Sequence, residues 1–231
     1  MLKKIISISA VALITFTFVA CGNSNTKLNT ENTTSDSNTV TEDNYSKLEG
    51  AWAKDITIDE LKGKYKSLLA DVEAKSKKIG LAYQKEETVK EENKETVNKN
   101  YIYLDQKNPE KNHLESLYFG LSLYGSDLET GQITMKLSLN FDGDKALKSG
   151  EVKFEDTSLA DYSELFTKNP KRDYSDIDKK ILDVLKSEKS EGVIENSIDG
   201  LYEEFTVNKE YIVYKIETKK IDFAKAIEEI K

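Results

Sequence analysis

Apolar residues recur along this chain with two periods, and the alternation between them predicts a helix followed by strands, twice over. Thr57-Ile58-Asp59-Glu60 has the form of a capping box, and after it Ile58, Leu61, Tyr65, Leu68, Leu69 and Val72 fall at helical spacing, with Gly80 placed to close the last turn. This predicts an amphipathic helix of about six turns with one stripe to lay on a sheet, weakened slightly by Gly63. The period then drops to two. Residues 81–89 read as a polar, marginal strand, and residues 96–104 as a better one, with Val97, Tyr101 and Tyr103 on one face and Ile102 and Leu104 on the other. After Asn108-Pro109, Leu117, Phe119, Leu121 and Leu123 alternate. Beyond the glycines at 125 and 131, Ile133, Met135, Leu137, Leu139 and Phe141 alternate with four polar residues, the pattern of a strand with one face in a core and one in water. Residues 151–155 suggest a further edge strand, and residues 156–173 read as irregular. Ser175 is then read as the cap of a second helix, with Asp178 three residues on and Ile177, Ile181, Leu182, Val184 and Leu185 as its stripe. Strands at 193–198, 201–207 and 211–218 follow, the first two joined by an Asp199-Gly200 turn, and Asp222 is placed to cap a short terminal helix using Phe223, Ile227 and Ile230.

The expected class is α+β, with helices packed on antiparallel sheet, because every strand connection within each run is short enough for a hairpin. The body divides into a first helix with its meander, residues 46–156, and a second, residues 157–231, which have the option of packing as one domain. A helix followed by meandering strands resembles the cystatin-like arrangement, a likeness of fold that carries no function. One echo hints at duplication: residues 96–102 (Thr-Val-Asn-Lys-Asn-Tyr-Ile) and 206–212 (Thr-Val-Asn-Lys-Glu-Tyr-Ile) agree at six positions in seven.

The amino terminus changes the picture from fold to location. Lys3 and Lys4 precede an uncharged apolar run from Ile5 to Ala20, which stops at Phe18-Val19-Ala20-Cys21 with a small residue before the cysteine. As a helix those sixteen residues span roughly 24 Å, short of a hydrocarbon core of roughly 30 Å. The segment resembles the lipobox signal peptide of bacterial lipoproteins, with Phe18 where that family most often has Leu. The resemblance implies removal of residues 1–20, a diacylglyceryl group on the Cys21 thiol, and a protein held on the extracytoplasmic face of the cell membrane. Residues 21–45 then form the lipidated cysteine and an Asn/Ser/Thr-rich tether too polar to fold, with a reach of roughly 25 Å. The bias toward Lys, Asn and Ile points to an AT-rich, Gram-positive-like bacterium.

Charge and composition narrow the chemistry. Removing the signal takes two of 34 basic residues and none of 42 acidic ones, leaving 32 − 42 = −10, a balance that disfavours nucleic acid. Cys21 is the only cysteine, so acylation leaves no thiolate nucleophile and no disulfide, and the body must hold together by core burial alone. No cofactor motif is present, and His113, the only histidine, follows a proline turn. Asn140, Asp142, Asp144 and Glu151 occupy positions 1, 3, 5 and 12 of an EF-hand-like spacing, but Lys145 replaces the turn glycine, so an acidic hairpin turn is the plainer reading and no metal is assigned. Tyr101 and Tyr103 are the candidate ligand-binding residues, able to stack on sugar or peptide if their face is open. The expectation is a non-enzymatic, membrane-anchored module that binds a protein, peptide or cell-envelope component. A cell-envelope hydrolase using a carboxylate pair is the alternative.

Overall fold

The computed structural model describes residues 45–224; Cys21, the segment up to residue 44 and residues 225–231 lie outside them. Helix α1 (Ile58–Lys78) begins as its sequence dictates, with Thr57 Oγ1 accepting from Glu60 N at 3.3 Å and Glu60 Oε2 accepting from Thr57 N at 2.8 Å. Leu61, Tyr65, Leu68 and Val72 lie on its buried stripe, each at most 5% exposed. Burying such side chains contributes roughly 1.5–3 kcal/mol apiece, and this stripe holds α1 to the sheet.

Four strands follow as a meander: β1 (Gln84–Glu92), β2 (Glu95–Asp105), β3 (His113–Tyr124) and β4 (Thr130–Asn140). Asn93 and Lys94, both at positive φ (52° and 68°), make the two-residue turn between β1 and β2, a conformation that matches the twist of paired strands. After a helical connection come β5 (Gly192–Ile198), β6 (Leu201–Val207), β7 (Tyr211–Thr218) and the two-residue β8 (Ile221–Asp222). All pairings are antiparallel, and the order β1-β2-β3-β4-β7-β6-β5, with β8 also on β4, joins the two meanders into a single sheet through β4 and β7. The α+β class is therefore realised with one shared sheet.

The connection from β4 to β5 departs from its sequence reading. Residues 140–151 are not a hairpin turn: α2 (Gly143–Ser149) forms there, with Asp142 Oδ1 accepting from Lys145 N and Gly150 closing the helix at φ 72°. Residues 151–155 add no edge strand, and Phe154–Asp156 is a single 3-10 turn. The stretch read as irregular holds α3 (Ser158–Thr167), capped by Thr157 and burying Leu159, Tyr162 and Phe166. Its stripe was hidden because Ser163, a polar residue, occupies a fully buried position in it. Helix α4 (Ser175–Lys186) starts where expected, but Ser175 is inside it and Tyr174 stands at the cap without a side-chain bond. Asp178 instead accepts from Phe154 N at 2.8 Å, pinning the 3-10 turn.

The seven-residue echo has no structural counterpart. Residues 96–102 lie wholly within β2, with Asn98 opposite Leu123 in the extended ladder. Residues 206–212 bend from β6 into β7, with Asn208 Oδ1 accepting from Glu210 N at 2.8 Å and Tyr211 N at 2.9 Å. Asn serves either conformation, and the flanking strands choose between them. Helices α1, α3 and α4 cover one face of the sheet; among the described residues no helix covers the other.

Candidate binding face

On the helix-free face the strand register builds a row of tyrosines. Tyr103 lies opposite Tyr118 and Gln84, and Tyr101 opposite Gly120 and Glu86. Ring centroids are 6.1 Å apart between Tyr103 and Tyr101 and 5.2 Å between Tyr101 and Tyr118. Tyr118 leans across Gly120, where an added Cβ would stand 2.5 Å from the Tyr118 hydroxyl oxygen and 2.9 Å from Tyr101 Cβ, so only glycine leaves room for the ring. The hydroxyls are held too: Tyr101 donates to Glu86 Oε2 at 2.5 Å, and Tyr103 donates to Gln84 Oε1 at 2.7 Å and Glu86 Oε1 at 3.1 Å. The Tyr101 and Tyr103 bonds hold the Glu86 carboxyl below its usual range, while burial, then the Glu86 hydrogen bond, push Tyr101 up to about 12. All three rings are half-exposed. Pre-ordered aromatic surface of this kind loses little entropy on meeting a flat ligand.

Tyr101 and Tyr103 were legible as candidates because both sit on one face of one strand. Tyr118 was missed. Its only signal was its place among the non-core positions of β3, and its partnership with Tyr101 depends on a pairing between strands that local pattern does not contain.

The chain matches no protein-family model, no curated protein and no solved structure.

Farther along the same face, carboxylates cluster around a cation. Lys215 Nζ lies 3.7 Å from Glu204 Oε2 and 3.1 Å from Glu217 Oε1. Glu217 also accepts from Tyr45 at 2.5 Å and Thr134 at 3.1 Å and is only 6% exposed. Tyr202 donates to Glu195 at 2.8 Å and Glu204 at 3.3 Å, and its ring lies 5.4 Å from that of Tyr45. Burial first, and then these acids, raise both phenols far above their usual range. A hydrolytic carboxylate pair needs one oxygen open to a leaving group and another to water or sugar. Here Lys215 stands between the two acids and Glu217 is sealed by its partners.

The helix side holds two further features. Between α1 and the β1–β2 overhang runs an open groove of about 470 Å³, with Tyr65, Leu69, Leu121 and Leu123 as its apolar surface, Lys62 and Lys66 on the α1 wall and Val89 on the β1 wall. Val89 is 69% exposed. Deeper, beneath α3, Arg172, the only arginine in the chain, grips Glu203 with both nitrogens, at 2.5 and 2.6 Å. Glu203 is fully buried and accepts also from Tyr214 (2.5 Å) and Asn196 (2.8 Å), while Ser163 accepts from Arg172 (3.0 Å). Burial, which opposes the cation, is outweighed by the Glu203 bond, so the Arg172 guanidinium stays charged; Tyr214 is pushed far up by burial and then by Glu203. This network is closed to solvent and acts as a polar rivet between the α3–α4 loop and the sheet.

The EF-hand-like residues do not converge. Asn140 Nδ2 donates to Pro109 O at 2.7 Å, Asp142 caps α2, Asp144 lies 3.8 Å from Lys209 and Glu151 3.5 Å from Lys153. Among the described residues no three His, Cys, Asp or Glu side chains are grouped to hold a metal ion. His113 is exposed on β3, 3.7 Å from Glu110. Cys21 lies outside the described residues, among which no helix is long and apolar enough to cross a membrane.

Proposed function

We propose that the protein is a lipoprotein anchored through Cys21 on the outer side of the cell membrane, and that its helix-free face binds an envelope component, a glycan strand or an extended peptide. The half-exposed Tyr103–Tyr101–Tyr118 row carries this reading. These rings contribute nothing to the core under the helices, yet each is positioned by a neighbouring ring, two are further held by hydroxyl bonds, and Gly120 is kept free of a side chain beneath Tyr118. Aromatic faces stack on sugar rings and peptide planes, and the polar edges supplied by Gln84 and Glu86 orient such ligands. The lipobox-like segment supports the location. The hydrolase reading draws less support, because Lys215 occupies the space between Glu204 and Glu217.

The test uses the full-length protein in detergent and purified cell wall in a sedimentation assay. Replacing Tyr101 and Tyr103 together by Ala lowers retention on the wall at least tenfold, as loss of two stacking contacts of about 1 kcal/mol each requires. Equal retention by the two proteins removes the face from consideration. Labelling cells with a fatty-acid analogue tests the anchor separately: label appears on the protein and is lost in Cys21→Ser, and an unlabelled parent protein refutes the anchor.

A further inference from the structure

We propose that the tyrosine row takes a carboxylate-bearing glycan, with Lys136 holding the ligand's acid group. This rests on the reading of that face as a binding surface and names the chemical class of its ligand. The strand register carries it. One line of paired residues crosses the helix-free face from Gln84 on β1, through Tyr103 on β2 and Tyr118 on β3, to Lys136 on β4. At the usual strand spacing that line is roughly 14 Å long, the size of a short oligosaccharide. It continues to Lys215 on β7, so two lysines stand directly opposite each other, a pairing that repels. Lys215 is relieved by Glu204 and Glu217. Lys136 is not: it is exposed, and among the described residues its ammonium has no acid, hydrogen-bond or ring partner, in a chain of 42 acidic and 34 basic residues. Glu115 on β3 accepts instead from Ser138, two residues along β4, at 2.8 Å. A cation left in this state at the end of an aromatic row does little for the fold and is a ready anchor for an anion.

The charges also give the ligand a direction. Glu86 accepts from Tyr101 and Tyr103, so a carboxylate on the ligand is repelled at that end and drawn to Lys136 at the other. Hydroxyls suit the β1 end: Tyr103 occupies Gln84 Oε1, which leaves the exposed Gln84 amide nitrogen to donate to a sugar oxygen. An extended peptide matches this surface less well. Its main chain pairs with the open N–H and C=O groups of a sheet edge, whereas β2, β3 and β4 each have a partner strand on both sides. Sugar rings need apolar faces and hydroxyl partners, and the row supplies both.

Calorimetric titration of the full-length protein in detergent with tetragalacturonate, a carboxylate-bearing glycan, and with its neutral methyl ester tests this. The parent is expected to bind the acid at least tenfold more tightly than the ester, the margin one charge-assisted contact makes, and to lose that margin in high salt. Lys136→Gln is expected to bind both glycans as the parent binds the ester, and Lys136→Arg to keep the preference. Equal affinity of the parent for the two, or a preference that survives in Lys136→Gln, overturns the proposal while leaving the tyrosine face as a binding surface. Binding of neither glycan overturns it as well; where wall retention still falls on replacing Tyr101 and Tyr103, the face then takes a peptide.

Discussion

Replacing Arg172 by Met removes the cation from a carboxylate that has no access to water. Glu203 is fully buried and Arg172 is 6% exposed on its side chain, so neither group regains hydration when its partner is lost. In Arg172→Met, Glu203 keeps only the donors Tyr214 and Asn196, and Ser163 loses a donor as well. Breaking a buried pair in this way costs about 3–5 kcal/mol, a large part of the roughly 5–15 kcal/mol that holds a domain together. With a urea slope of about 2 kcal/mol per molar, the unfolding midpoint falls by about 2 M. Fluorescence of Trp52 is the natural probe. It is the only tryptophan, and its ring lies 5.5 Å from that of Phe166 on α3, the helix that also carries Ser163. Glu203→Met alone is expected to cost a similar amount, and the double replacement no more than either single one, because an apolar pair strands no charge. A midpoint shift below about 0.5 M for Arg172→Met, or a double variant whose loss equals the sum of the singles, refutes the argument.

Two other outcomes follow from the same structure. Asp178 is raised from its ordinary value to about 6, by burial in the first place, against the hydrogen bond from Phe154 N. Its proton is thus held more tightly in the folded chain: the stability this confers is present below about pH 4 and is lost as pH rises through about 6. Asn keeps the acceptor oxygen without the charge, so Asp178→Asn stabilises at pH 7.5 by about 1 kcal/mol, a figure discounted for half exposure, and is neutral at pH 4. Thermal melts at the two pH values that show the same difference would contradict this. Gly120→Ala is expected to destabilise by about 1–2 kcal/mol, lowering Tm by roughly 3–6 °C and weakening the near-ultraviolet tyrosine signal, because the Tyr118 ring must leave Gly120 and its contact with Tyr101. An unchanged melt would mean that the ring row is not constrained from below.

What the sequence by itself determined is what local bonds and local period determine. The Thr57–Glu60 capping box closes within four residues, the Asp199-Gly200 turn needs two positive φ values that this dipeptide adopts readily, and the alternation from Ile133 to Leu139 puts those apolar residues on the buried face of β4. Helix α1, the seven longer strands β1–β7 and the α+β class were legible for that reason, as was the shared face of Tyr101 and Tyr103. Tertiary structure decided the rest. That β4 pairs with β7, joining two meanders in one sheet, is a contact between segments far apart in the chain, chosen by the total apolar area it buries. Ser163 broke the visible stripe of α3, yet it fits a buried site because Arg172 and Tyr214 converge on it from elsewhere. The same Asn-Lys pair became strand at 98–99 and turn at 208–209 under the pull of different neighbours. Tyr118 joined the tyrosine row only once β2 and β3 had settled their register, and register is a property of the pair of strands, with no trace in either one alone.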